Sequence, residues 1–300
     1  MTGGNRHSVR IDKTGLRRLE PLPDTATLDE FYRDTYYAAN EGKAPDIKRL
    51  RDDAEAAQGE RTWRNRTIYA DVLHYIARVA PDGGRVVDVG CGTGEFVAFM
   101  ADTPGWDACG VEPAPDAVAL AVDRDLQVEV ATIDDVDDRF GGGFDALTMF
   151  NVLEHVLDPW AMLTTAHELL RPGGVLVVQV PNDFSPLQEA VRSHLDVAPW
   201  WVAVPDHINY FDFETLDEAL RRHGFHPTVQ YGSFPMEFFL VGGLDYVNDP
   251  ASGPAAHRAR CAFEMSMTDD QRRELFEDFA RGRLGRNALI VATKGPPVSD

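Results

Sequence analysis

Cysteine is nearly missing: three in 300 residues, Cys91, Cys109 and Cys261, with no C-x-x-C among them. So few, so spaced, build neither a disulfide framework nor a zinc knuckle. Basic residues are scarce too, with 29 Lys plus Arg against 49 Asp plus Glu and a formal charge of −20. A docking face for nucleic acid or an anionic membrane would be an island in an opposing field, so the expected partner is a small neutral or cationic molecule. Long apolar runs are also lacking. Nothing approaches the roughly 20 residues that span a bilayer, and residues 1–10 offer no stretch for a signal peptide, so a soluble, cytoplasmic protein is expected. Repeats and low-complexity tracts are absent. What is present is globular in kind: 44% hydrophobic, 26% charged and 10% aromatic residues, in a chain long enough for a full core.

Residues 1–25 are polar, carry Gly3, Gly4, Pro21 and Pro23, and show no sustained apolar period, so a loose arm is expected. Between 26 and 67 the pattern is helical in pieces, with Phe31, Tyr32, Tyr36 and Tyr37 grouped, and predicts a helical lid. Ile68, Val72, Leu73, Ile76 and Val79 then recur in threes and fours, a helix closed by Pro81-Asp82-Gly83-Gly84. Beyond it, apolar strands at 85–89, 108–111, 126–130, 146–150 and 175–180 alternate with helices at 95–102, 115–123 and 159–170. Short apolar strands separated by helices predict an α/β, doubly wound, mostly parallel sheet covered on both faces. A capped helix from Asp212 to Gly224 and strands near 228–231 and 288–292 complete a domain placed at 68–300. Two stretches break the alternation: 182–211, with Trp200, Trp201 and Tyr210, and a helical one at 234–285. As insertions on the ligand side of such a sheet, both are expected to shape a substrate pocket.

The sharpest motif is Val86-Val-Asp-Val-Gly-Cys-Gly-Thr-Gly-Glu-Phe96. A strand ends near the acid Asp88, and Gly90, Gly92 and Gly94, separated by Cys91 and Thr93, lead into a helix; lacking Cβ atoms, they let the backbone turn tightly and approach a ligand. A dinucleotide fingerprint needs G-x-G-x-x-G, but Glu95 stands three residues beyond Gly92, where its carboxylate would repel a pyrophosphate. A ligand carrying an ammonium and a sulfonium suits these acids instead. The next strand ends in Glu112-Pro113, one helix and one strand further on, where a carboxylate can accept both hydroxyls of a ribose.

Together these residues resemble the class I S-adenosylmethionine-dependent methyltransferases, in their small-molecule branch. The likeness continues in order through Ala131-Thr-Ile-Asp-Asp-Val136, similar to the family's adenine-facing loop, through the segment from Phe144 to Pro159, and through Leu170 to Pro181, similar to its fifth-strand hairpin. It covers about residues 68–183 well. The resemblance implies a Rossmann-like seven-stranded sheet and S-adenosyl-L-methionine as cofactor. It also implies that Asp88, Gly90, Cys91, Gly92 and Gly94 hold the methionine part, Glu112 and Pro113 the ribose, and Ile133 and Asp134 the adenine. Asn151 would help close the site, and Tyr37 resembles lid tyrosines placed over the cofactor carboxylate.

Methyl transfer is an in-line displacement, so the protein has chiefly to orient the nucleophile and, where it carries a proton, remove it. Two histidines are candidates. His155 ends the fourth-strand segment after Glu154, and Leu-Glu-His recurs in relatives with different substrates, which points to packing or loop support. His207, inside Pro205-Asp-His-Ile-Asn-Tyr-Phe211, is the expected base at the acceptor. Asn151-x-x-Glu154-His155 is similar to the Glu-x-x-Glu-His metal site of certain magnesium- or zinc-using O-methyltransferases, but the first carboxylate is replaced, so no metal is expected. The Asp-His-Ile-Asn-Tyr-Phe stretch resembles a branch acting on sugars, polysaccharides and secondary metabolites, which implies such an acceptor. Two rival readings are a nicotinamide-dependent oxidoreductase, opposed by Glu95, and a nonenzymatic cofactor-binding scaffold, opposed by the two insertions.

Overall fold

The computed structural model describes residues 7–30, 54–249 and 251–295. Strand β1 (Ser8–Ile11) and strand β2 (Arg17–Glu20) open the chain. Then come β3 (Gly84–Val89), β4 (Trp106–Glu112), β5 (Val128–Val130), β6 (Phe144–Phe150), β7 (Leu170–Pro181), β8 (Asn209–Tyr210), β9 (Phe225–Gly232) and β10 (Asn287–Lys294). Seven of them form one sheet in the order β5-β4-β3-β6-β7-β10-β9. β3 runs parallel to β4 and β6, β4 parallel to β5, and β10 antiparallel to β9. Chain order reverses at β3, so the crevice beyond its carboxyl end is the place where doubly wound sheets take ligands. The expected Rossmann-like, mostly parallel sheet is what the chain forms.

By its contacts the chain divides into two compact units, one of Pro23–Phe150 with Thr164–Leu176 and one of Met1–Leu22, Asn151–Leu163 and Val177–Asp300. In the first, β3 and β6 are buried on both faces, with Val86, Val87, Val89, Phe144, Ala146, Leu147 and Met149 all at 2% exposure or less. Each such side chain contributes roughly 1.5–3 kcal/mol by leaving water, which is why these strands read as continuous apolar runs. Register places Asp88 of β3 opposite Thr148 of β6 on one side and Gly110 of β4 on the other. The helix Ala54–Arg64 passes through a π turn, Asn65–Tyr69, into the helix Ala70–Ala77. Tyr69, in that turn, packs its ring 5.2 Å from Phe96 and 6.0 Å from Phe150. No break falls at 67, so the expected lid boundary there is not an element boundary. Of the expected lid, Thr25–Glu30 is helical; residues 31–53, with Tyr36 and Tyr37, lie outside the described residues.

In the second unit the expected loose arm is corrected. From Ser8 onward it is a hairpin whose second strand pairs with β8, with Leu16 and Leu19 each 1% exposed. Arg18 donates to Asn209 Oδ1 (2.8 Å) and to the Leu157 carbonyl (2.6 Å). Two four-residue strands gain their order from distant partners, and a local period cannot announce that. The 182–211 stretch holds the helix Pro186–Leu195 and β8, and the 234–285 stretch holds the helices Glu237–Val241, Ser252–Ser266 and Asp269–Arg281. The helix Phe213–Arg222 is capped as expected: Asp212 Oδ1 accepts from the Thr215 N–H at 2.8 Å. Among the described residues, no helix is long and apolar enough to cross a membrane.

Candidate active site

The glycine loop turns as its composition requires. Gly90, Gly92 and Gly94 all have positive φ, at 70°, 54° and 75°, a region costly for any residue with a Cβ. The Gly90 and Cys91 N–H groups donate to the Val111 carbonyl (2.8 and 3.1 Å), which ties the loop to the end of β4. Glu112 then locks it: Oε2 accepts from the Gly92 N–H (3.0 Å) and Oε1 from the Ala114 N–H (2.9 Å). These two bonds, one to each oxygen, orient the carboxylate. Glu112 is 7% exposed and Asp88 4%. Thr148 Oγ1 donates to Asp88 Oδ1 at 2.6 Å. Burial pushes the Asp88 carboxyl up to about 7, the Thr148 hydrogen bond opposes, and the Glu112 charge adds to the rise. Two buried acids on neighbouring strands favour a cationic ligand.

Glu95 differs from its expected role. Arg61 Nε donates to its Oε2 (3.2 Å) and Arg124 NH1 to its Oε1 (2.7 Å), so its charge is compensated. Cys91 is buried and its thiol is pushed well above the usual range by burial, next to the acids Asp88 and Glu112, so it is an inert wall of the loop. Pro113 is exposed. Following β5, Ala131 N–H reaches back to the Glu112 carbonyl (3.2 Å), and Ile133 is buried at 3% while Asp134 is exposed with Thr165 Oγ1 3.4 Å away.

In the other unit, Asn151 has a positive φ of 57° that asparagine tolerates, and its Oδ1 accepts from Gln179 Nε2 at 2.9 Å. His155 is held through Nδ1, 3.0 Å from the Asp206 carbonyl and 3.1 Å from its carboxylate, while Nε2 lies 3.7 Å from Glu154. Burial works against its charge, but Glu154 and Asp206 outweigh it and raise the imidazole to about 9. Asp206 correspondingly lies below the usual carboxylate range: burial pulls upward and His155 pulls harder downward. The His207 ring stands 5.0 Å from that of His155, centre to centre, and edge-on to it. Trp200 and Trp201 stack edge to face at 4.9 Å, and Phe184 bridges Trp201 and Tyr210 at 5.4 and 5.7 Å. These aromatics of the 182–211 stretch thus pack on one another, with Tyr210 fully buried.

His155 and His207 lie 52 residues apart in the chain. The fold joins them: ligand atoms of Glu154, His155 and His207 lie within 4.8 Å of one another. It also brings in Asp183, a residue no motif singled out, whose Oδ2 is 3.8 Å from His207 Nδ1 and whose Oδ1 is 3.6 Å from Arg286. The signal available was its place, two residues past the end of β7, where strand ends in this class carry functional groups.

Comparison with known proteins gives the family. The chain is 38% identical over 117 residues to "Ubiquinone biosynthesis O-methyltransferase" of Xanthomonas axonopodis pv. citri (strain 306), covering 37% of this chain and 48% of that protein. It therefore spans about half the length of the curated relatives it matches. Among solved structures, it is similar to 1,6-didemethyltoxoflavin-N1-methyltransferase of Burkholderia thailandensis, 14% identical over 99% of both chains with a TM-score of 0.47. It is also similar to a SAM dependent methyltransferase from Archaeoglobus fulgidus, 18% identical over 75% of this chain and 94% of that one, TM-score 0.47. The family model described as a methyltransferase domain matches residues 61–230, more than half of the sequence, and the chain belongs to the class I S-adenosylmethionine-dependent methyltransferases.

Proposed function

We propose that this protein transfers a methyl group from S-adenosylmethionine to a hydroxyl of a small-molecule acceptor of the sugar, polysaccharide or secondary-metabolite class. The observation that carries the cofactor half is the pair Asp88 and Glu112 on neighbouring strands, flanking a glycine loop whose Gly92 N–H the Glu112 carboxylate already holds. The choice of oxygen follows the printed name of the O-methyltransferase relatives, and the acceptor class follows the Asp206-to-Phe211 stretch. When bound, S-adenosylmethionine supplies an electrophilic methyl whose carbon bonds the acceptor oxygen while the carbon–sulfur electron pair returns to sulfur.

The chain's own residues do the rest. Asp88 receives the ammonium of the methionine part, the Gly90-to-Gly94 backbone lies against it, and Glu112 accepts the two ribose hydroxyls. Ile133 packs on the adenine and Asp134 accepts from its amino group. His207 takes the acceptor proton, and His155, clamped by Asp206 and Glu154, supports the loop that carries His207.

Calorimetry tests the cofactor half. S-adenosylmethionine and its demethylated product bind more tightly than NADH, and Glu112→Ala costs roughly 3–6 kcal/mol of that affinity, since it removes two hydrogen bonds to a charged acceptor, each worth about 1.5–3. Tighter binding of NADH transfers the chain to the oxidoreductase reading; unchanged affinity in a folded Glu112→Ala protein makes the carboxylate a loop lock only.

A further inference from the structure

We infer that Asp183 is the positioning residue of His207, holding the ring with its proton on Nδ1 and leaving Nε2 to take the acceptor's proton; the second half of this rests on the reading of His207 as the base. Asp183 is set rigidly. Its N–H donates to the Phe211 carbonyl (2.9 Å), and the preceding Asn182 donates from its N–H to the Arg286 carbonyl (3.0 Å) and from Nδ2 to the Arg283 and Gly285 carbonyls (3.2 and 2.8 Å). The side chain is 1% exposed, and neither of its carboxylate oxygens has a hydrogen bond among the described residues. A buried carboxylate in that state is costly unless a charge and a donor lie at hand. Arg286 supplies the charge, 3.6 Å from Oδ1. The donor for Oδ2 is His207 Nδ1 at 3.8 Å, itself buried and without a hydrogen bond. The two unmade bonds face each other, and a closure of about 1 Å makes one charge-assisted bond of about 2.8 Å from them.

The opposite tautomer would set the Nδ1 lone pair against a carboxylate lone pair, two acceptors with nothing between them. Asp206 is the competitor, its Oδ2 lying 4.0 Å from Nε2. It is farther, more exposed at 22% against 1%, and already committed at 3.1 Å to His155. Glu154, 3.7 Å from His155 Nε2, also lies within 4.8 Å of a His207 ring nitrogen, farther than Asp183 Oδ2, and the Tyr210 ring is 6.4 Å from His207. Because Nδ1 has no accessible surface, the 19% of the His207 side chain that is exposed belongs to the rest of the ring. When Nε2 takes the hydroxyl proton, the resulting imidazolium faces the Asp183 charge, which stabilises it and lowers the barrier to the transfer.

The test is a long-range proton–nitrogen correlation spectrum of the full chain with 15N-labelled histidine, which reads the protonation of each ring nitrogen directly. His207 is assigned by the signal lost in His207→Ala. The expected result is an Nδ1–H ring, diagnostic because free side chains favour Nε2–H, that converts to Nε2–H in Asp183→Leu while S-adenosylmethionine affinity is kept. An Nε2–H ring in the wild-type protein overturns the assignment, as does an Nδ1–H ring that persists in Asp183→Leu. Should that variant fail to fold, Asp183→Asn decides: a reduced Nδ1–H population supports the pairing and an unchanged one overturns it. Turnover of His207→Ala separates the two halves, because near-full turnover beside an intact Nδ1–H tautomer removes the base and leaves the pairing.

Discussion

Asp88 shows how far a single residue could be read in advance. An acid near the end of a strand before a glycine loop was visible from its neighbours, and so was a second acid, Glu112, at the end of the next strand. The protonation of Asp88 was not visible, because that depends on the Thr148 hydroxyl and Glu112 carboxylate brought beside it across 60 and 24 residues of chain. With a folded value of about 7 against an ordinary 3.8, the folded protein binds the extra proton between those limits. The sign follows: the contribution of Asp88 to the stability of the cofactor-free protein is fully present below pH 3.8 and is lost as pH rises through about 7. A cationic ligand favours the ionised form, so S-adenosylmethionine affinity rises over the same interval and levels above it. Calorimetric titration and melting temperatures between about pH 5 and 8, wild type against Asp88→Asn, measure both slopes. Equal slopes in the two proteins assign the dependence to other groups. Glu95 is the contrary case at this scale, an acid whose meaning reversed once Arg61 and Arg124 were found on it, since pairing partners 34 and 29 residues away leave no local trace.

Elements were legible where they are stabilised locally or buried completely. β3 and β6 are apolar on both faces and announce themselves; the helix after Asp212 carries its own cap. The hairpin at 8–20 did not, because Leu16 and Leu19 acquire their burial from residues nearly two hundred positions away. The glycine loop lies between these cases. Its three positive-φ glycines could be read, whereas the fourth glycine that makes room for it, Gly110 on β4, looked like an ordinary strand residue. A Cβ at Gly110 would meet Cys91 Sγ at 2.7 Å and Val97 Cγ2 at 2.9 Å. Gly110→Ala is therefore expected to cost about 1–3 kcal/mol through overpacking and to weaken cofactor binding by displacing the loop that Glu112 holds. Adding Cys91→Ala removes the nearer clash and recovers part of both. Gly253→Ala, in a helix with nothing within 4 Å of the new methyl, is the control and is expected to be neutral or up to about 1 kcal/mol stabilising. Thermal denaturation of the four proteins decides it; a Gly110→Ala protein as stable as wild type shows that the β4–loop contact yields at no cost.

For the molecule as a whole, the acid excess sets the question of metal. A chain of charge −20 attracts divalent cations everywhere, so affinity alone says little and dependence of turnover is the measurable quantity. The group at Glu154, His155 and His207 has ligand atoms within 4.8 Å, closer together than the sequence pattern implied. Three features of that half of the chain nevertheless favour metal-free transfer. The first position of the Glu-x-x-Glu-His pattern is Asn151, whose carbonyl is taken by Gln179 at 2.9 Å. His155, raised to about 9, is protonated at neutral pH and engages Asp206 through Nδ1, so a cation would have to displace a proton held by two carboxylates. Finally, a sulfonium methyl is already electrophilic, and an orienting pocket with one base suffices for its transfer. Methyl transfer is therefore expected to survive extensive treatment with EDTA, with S-adenosylhomocysteine release as the assay and metal content measured by mass spectrometry on the same sample. Turnover lost on chelation and regained with magnesium or zinc would reverse this. Glu154, His155 and His207 would then be its ligands, and the proton of His155 would have to leave on binding, with roughly one proton released per cation at pH 7 as the accompanying signature.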